Sequence, residues 1–203
     1  LAEKYIDGKE YSVESFVFNG EIIFSNITDY HTHHVCNVLP AKIDPETKER
    51  LIHLNTNIIQ VFGIKNGMTH VECYLNEKNI LFGEIAIRPP GGYIMKLIEL
   101  SYGFNPWKAL IDIELSQTPE VSKNSKYFSA AWILHPGEGI IEKEPDFTSL
   151  INDPNLFDIQ SGLKQGMKIK RREGSGEDYG RILFKSEDYA SLVNSLHKVR
   201  KLI

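Results

Sequence analysis

The sequence predicts an α+β fold: an antiparallel sheet with helices on one face, followed by a small β-rich C-terminal unit. Three observations carry this. Residues 10–18, EYSVESFVF, alternate with a period of two, and Asn19-Gly20 behind them is a two-residue hairpin turn. Residues 45–62 switch to the helical period. A polar, proline-bearing stretch at 117–126 (QTPEVSKNSK) then separates this mixed half from a second half dominated by short strand signals.

Each element follows in order. In the first strand Tyr11, Val13, Ser15 and Val17 share one face; Ser12, Glu14, Phe16 and Phe18 share the other. Glu21 to Ile27 return as its hairpin partner. Pro45 and Glu46 open a helix with an apolar stripe of Leu51, Leu54, Ile58, Ile59 and Phe62, and Gly63 closes it. Met68–Leu75 and Ile80–Ile87 are strands on either side of Asn76-Glu77-Lys78-Asn79. Residues 93–102 and 106–116 read as helices with Gly103 as the stop between them. Beyond the linker come strands at 127–134 and 139–143 around Pro136-Gly137, further strands near 167–171 and 181–185, and a closing helix from Ser186 to Lys201. The division expected is a first unit of residues 1–118 and a second of 119–203.

Composition narrows the class. Net charge is −4, which gives no electrostatic reason to expect nucleic acid or a membrane surface as partner. No apolar run approaches the ~20 residues of a membrane span. Cys36 and Cys73 are the two cysteines, a number that suits free thiols in a reducing cytoplasm better than a disulfide scaffold. No signal peptide is visible. The chain begins at Leu1, without methionine, in a stretch that already looks organised, so a piece of a longer protein is expected.

The chemistry concentrates at residues 68–92. If the turn of the 68–87 hairpin centres on residue 78, Glu72 falls opposite Glu84. Two carboxylates facing each other at ~5 Å repel and call for a cation. A hard divalent ion takes oxygen ligands and often shares them with phosphate. His70, Tyr74 and Arg88 fall on the same face. The strand then runs into Arg88-Pro89-Pro90-Gly91-Gly92. Prolines fix the exit and remove donors, while Gly91 and Gly92 allow backbone N–H groups to approach an anion. The same residues also suit a tight turn into the next helix, and Glu–Arg cross-pairs on a solvated face are the alternative for the acids.

Together, HVECYL, then FGEIAIRPPGG, then a helix resemble the metal-binding end of the ATP-grasp superfamily, in its carboxylate–amine ligase branch. That pattern has an acid on one strand, Glu-x-Asn-x-Arg on the next, and a glycine turn. The resemblance implies that Glu72 and Glu84 hold Mg²⁺ (or Mn²⁺), that Arg88 lies near the phosphates and the acyl intermediate, and that Gly91 and Gly92 bind a substrate anion. Ala86 stands where the family has asparagine, leaving water as the substitute ligand. The amino-terminal AEKYIDGKEYSV resembles the family's nucleotide hinge; it implies that Glu3 and the backbone of Lys4 and Ile6 meet adenine, and that Glu10 holds the ribose of ATP. The resemblance covers residues 1–116 well and the rest more weakly.

The activity implied is ATP-dependent ligation of a carboxylate to an amine, amino-acid-type, through an acyl phosphate. His70 then positions phosphate or acts as a base; a structural strand histidine fits equally. Two rival classes are a bicarbonate-activating enzyme of the biotin-carboxylase or carbamoyl-phosphate-synthase kind, and a non-catalytic relic, to which Ala86 points. Partners implied are small-molecule carboxylate and amine substrates and amino-terminal domains of the same protein; a homodimer stays open. By itself the 203-residue chain is expected to be inactive, since the other nucleotide-binding lobe lies upstream in this family. In DYHTHHVC, residues 29–36, a zinc reading for His31, His33, His34 and Cys36 lacks a second ligand cluster; His33 or His34 instead face the phosphates or the substrate, or belong to a surface loop. EGSGEDYG, 173–180, lacks the lysine of a phosphate-binding loop and reads as a hairpin loop.

Overall fold

The computed structural model describes residues 5–76, 79–173 and 177–202. Its first regular element is β1 (Lys9–Phe18), paired antiparallel with β2 (Glu21–Thr32) through the Asn19-Gly20 turn. Asn19 and Gly20 both have positive φ, as the turn requires. The second strand runs five residues past Ile27, and β3 (Cys36–Leu39) pairs with its end. Helix α1 (Pro45–Val61) starts at Asp44, whose carboxylate accepts from Thr47 N at 2.9 Å. Strands β4 (Gly67–Leu75) and β5 (Ile80–Ala86) follow, then α2 (Ile94–Tyr102) and α3 (Pro106–Glu114).

The later part supplies β6 (Phe128–Ile133), β7 (Gly139–Ile140), α4 (Thr148–Ile151), β8 (Leu156–Ser161), β9 (Lys168–Ile169), β10 (Gly180–Ser186) and α5 (Tyr189–Arg200). One sheet contains eight of the strands in the order β5-β4-β1-β2-β3-β6-β10-β8, and β7 pairs with β9 separately. Residues on both sides of position 118 therefore share a single sheet, joined where β3 pairs with β6. Of these elements β3, α4 and β8 were not foreseen from the sequence. The strand at β3 hides behind the histidine-rich turn, and β8 alternates weakly (LFDIQS).

Both faces of the sheet carry helices. Tyr11, Val13, Ile27, Val71 and Cys73 pack under Leu51 and Ile58 of α1. Val38, Trp132, Ile182 and Phe184 pack under Leu192, Leu196 and Val199 of α5. Val38 is the ladder partner of Asp29, itself the partner of Tyr11, so α1 and α5 lie on the same face. Phe16, Phe24, Leu39 and Met68 face the other way, against α2 and α3. Helices are thus needed on both faces, not on one, because the central strands present apolar residues in both directions. No helix among the described residues is long and apolar enough to cross a membrane.

Candidate active site

The site occupies the part of the α2–α3 face that those helices leave uncovered. Ladder register lays out its floor in rows. The row Phe24–Phe16–Met68 is apolar and belongs to the core beneath α2. One step along each strand's face the row is Asn26–Glu14–His70–Ala86, and the next is Thr28–Ser12–Glu72–Glu84. The phenol of Tyr102 on α2 marks the border, donating to Asn26 Oδ1 at 2.9 Å. Core and site are therefore successive zones of one sheet face.

Glu72 and Glu84 are cross-strand partners, the pairing the hairpin geometry predicted. The register shifts between Glu72 and Cys73, where Gly83 forms a bulge in β5. A Cβ on Gly83 would lie 2.7 Å from the Tyr74 ring and 3.1 Å from the Glu72 carbonyl oxygen, so glycine is required there. Glu72 is half-buried and Glu84 exposed. The hydrogen bond from His70, working against burial, holds the Glu72 carboxyl below its ordinary range, and the charges of His70, His34 and Arg88 act in the same direction.

Two adjoining cavities open over these rows. One, of 740 Å³, includes Ile6, Glu10, Glu72, Phe82 and Glu84 in its lining. The other, of 330 Å³, shares Glu10, Tyr30, His33, Glu72 and Tyr74 with the first and adds His70, Asn37, Arg88, Gly91, Gly92 and Arg172. The structure thus brings Ile6, Glu10, His70, Glu72, Glu84, Arg88, Gly91 and Gly92 to one cleft; Glu3 and Lys4 lie outside the described residues. Glu10 Oε2 sits 2.8 Å from His33 Nδ1. Burial and the Glu72 charge push the Glu10 carboxyl up, against the pull of His33 and His70.

The glycine turn leads into α2 through two successive left-handed residues, Gly92 (φ 60°) and Tyr93 (φ 63°). Asn37 of β3 donates from Nδ2 to the Gly92 carbonyl at 2.9 Å, and a Cβ on Gly92 would come within 2.3 Å of that nitrogen. The turn is therefore clamped to the sheet, with the amino end of α2 at the cleft. Arg88 is exposed and donates to the Pro89 carbonyl at 2.9 Å.

Several site residues escaped sequence reasoning. Glu14 is fully buried beside His70, and Tyr30 places its hydroxyl 3.4 Å from His70 Nε2. Arg172 reaches the cleft from the later half of the chain, donating to the carbonyl of His34. No local signal marks Asn37 or Arg172, which sheet topology alone delivers. In the histidine-rich turn, the His33 and His34 rings lie 3.7 Å apart between centroids, tilted by 52°, and line the cleft, whereas Cys36 is fully buried in the α5 core.

A divalent ion with phosphate co-ligands fits this donor set. Among the described residues no group of three or more His, Cys, Asp and Glu side chains is arranged to hold a metal. Two paired carboxylates beside a large polar cavity leave the remaining positions to phosphate oxygens and water, as hard cations accept.

Paired acids beside a large polar cleft and a clamped glycine turn are the features on which the likeness to known proteins turns. Residues 1–96 match the family model of the ATP-grasp domain. A curated protein from Bacillus subtilis, the L-arginine-specific L-amino acid ligase, is 24% identical over 212 residues, covering 99% of this chain and 51% of its own length. The crystal structure of L-amino acid ligase from Bacillus licheniformis superposes with a TM-score of 0.82 at 17% identity, over 98% of this chain and 51% of that one. That of phosphoribosylglycinamide synthetase from Anaerococcus prevotii gives 0.78 at 19% identity, over 98% and 53%. The chain spans about half the length of the relatives it matches.

Proposed function

We propose that this chain forms the nucleotide- and metal-binding part of an ATP-dependent carboxylate–amine ligase of the amino-acid type, which works through an acyl phosphate. The observation that carries this reading is the pairing of Glu72 with Glu84 on the wall of a 740 Å³ cavity that Glu10 and Ile6 also line. Glu72 and Glu84 hold Mg²⁺ or Mn²⁺, which neutralises phosphate charge when bound. Glu10 accepts from the ribose hydroxyls, and the backbone at Ile6, with Glu3 and Lys4, meets adenine. Arg88 steadies the carboxylate being activated through charge-assisted hydrogen bonds. Backbone N–H groups at Gly91 and Gly92 orient the same anion near the amino end of α2. The rest of the nucleotide cleft comes from further sequence of the same protein, so residues 1–203 alone are inactive.

The test is ADP release by the protein in its full length, with a panel of amino acids and, separately, bicarbonate. Amino-acid-dependent release supports the reading; release with bicarbonate alone overturns its substrate class. Glu84→Gln lowers turnover on the order of 100-fold or more, the scale seen when a group stabilising transition-state charge is removed. Unchanged turnover in that variant removes the metal role. Robust turnover by residues 1–203 alone contradicts the expected dependence on further sequence.

A further inference from the structure

Glu14 and His70 have no reason to be polar if the only task of their row is packing. The row beside them on the same face is Phe24–Phe16–Met68, and apolar residues continue that core without desolvation cost. Instead β1 carries a carboxylate that is fully buried, and β4 places an imidazole directly opposite it. Glu14 is saturated with partners. Its Oε1 accepts from Ser12 Oγ at 2.5 Å and lies 3.0 Å from His70 Nδ1. Its Oε2 accepts from Asn26 Nδ2 and Thr28 Oγ1, each at 2.7 Å. These contacts come from three strands, so the carboxylate is fixed from every side.

The imidazole passes that fixation on. His70 Nε2 lies 3.3 Å from Glu72 Oε1, the oxygen of a residue that lines both cavities. One ring nitrogen is thus spent on the buried acid and the other on the exposed end of the line. His70 is 7% exposed and flanked by the Tyr30 hydroxyl, which leaves little room for a ligand at the ring itself.

From this geometry we infer that Glu14 and His70 are a positioning pair: Glu14 orients His70, and His70 holds one oxygen of Glu72 so that the other is presented beside Glu84. Neither touches substrate, and neither is a catalytic residue. The pair does for a carboxylate ligand what an outer carboxylate does for a ligating histidine: it removes rotational freedom before the cation arrives. The inference rests on Glu72 being a metal ligand.

The experiment measures Mn²⁺ affinity by electron paramagnetic resonance in the full-length protein with a non-hydrolysable ATP analogue, and the melting temperature of each variant. The variants are Glu72→Gln, Glu14→Gln, His70→Asn and Thr28→Val. Glu14→Gln and His70→Asn are each expected to weaken Mn²⁺ binding about tenfold or more, the usual range for outer-shell partners. Thr28→Val removes a bond to Glu14 Oε2 and leaves the Oε1 contact with His70 in place; it is expected to lower the melting temperature and to weaken Mn²⁺ binding less than Glu14→Gln does, whereas a merely structural pair makes Mn²⁺ affinity follow melting temperature across the variants. If Glu14→Gln melts below the assay temperature, His70→Asn, which leaves Glu14 its bonds to Ser12, Asn26 and Thr28, carries the test. If Glu72→Gln abolishes Mn²⁺ binding while folded Glu14→Gln and His70→Asn keep wild-type affinity, the positioning role is wrong and the metal site stands. If Glu72→Gln itself binds Mn²⁺ normally, the metal reading falls and the positioning role falls with it.

Discussion

Glu14 is a carboxylate at 0% exposure in a strand whose sequence, EYSVESFVF, reads as an ordinary alternation. Its placement on the face with Phe16 was legible from the period of two, but its burial was not, because that depends on β2 and β4 closing over it. His70, Glu72 and Glu84 were legible as one patch, since a hairpin fixes its own register from its turn. The titration of this group gives a direct check. Burial alone lowers the His70 pKa, but hydrogen bonds to Glu14 and Glu72 outweigh it and raise the value to about 9 from 6.5. The Tyr30 hydroxyl is the remaining polar neighbour, and Glu10 the next acid along the cleft. A raised folded-state pKa contributes stability that is fully present below pH 6.5 and lost as pH rises through about 9. Glu14 and Glu72 are held below their ordinary 4.5, so their contribution is present above that value and lost on further acidification. Melting temperature should hold level just below pH 6.5, fall as pH rises from there to about 9, and level off beyond; in His70→Gln that fall should flatten. A wild-type curve with no fall between pH 7 and about 10 would contradict the doubly bonded imidazole.

Among the elements, the β4–β5 hairpin shows most clearly what local sequence can and cannot say. Its existence, its direction and the Glu72–Glu84 pairing followed from the turn residues and alternation. The bulge did not, because a single glycine inside a strand signals either a bulge or a weak strand. In the folded chain the Tyr74 ring and the Glu72 carbonyl occupy the space a side chain at Gly83 needs. Gly83→Ala is therefore expected to cost about 1–3 kcal/mol, measured by urea denaturation, and to lower ADP release by displacing Glu84. Adding Tyr74→Ala relieves the 2.7 Å contact with the ring but not the 3.1 Å contact with the carbonyl, so recovery should be partial. Full stability in Gly83→Ala would show that β5 absorbs the change without strain. Helix α1, by contrast, was readable almost to the residue from Pro45 and Glu46 at its start and Gly63 beyond its end, and the structure adds the Asp44 cap.

For the molecule as a whole, the linker at 117–126 suggested two units, while the sheet runs without a break from β5 to β8. Pairing between β3 and β6 is a contact between residues some ninety positions apart, and no local pattern announces it. Leu39 of β3 and Ala131 and Leu183 of the later strands belong to the same core as α2. Residues 1–118 made alone leave β3 as an open edge and that core partly bare. The expected outcome is loss of cooperative melting and aggregation of that piece, against a single transition for residues 1–203 by calorimetry. A sharp, reversible transition in the shorter piece would show that the sheet is thermodynamically divisible at β3.

The apolar row beneath α2 and the Asn26–Glu14–His70 row lie two residues apart along the same strands, tied by the bond between Tyr102 and Asn26, and the Glu72–Glu84 row lies two residues further on. Anyone wishing to redesign what this protein accepts therefore has poor options on the floor, where each change disturbs the foundations. The more permissive places are the rim positions His34 and Arg172, which line the cleft from outside the strands. Diversity libraries seeded there can explore new guests while the scaffold beneath stays as it is.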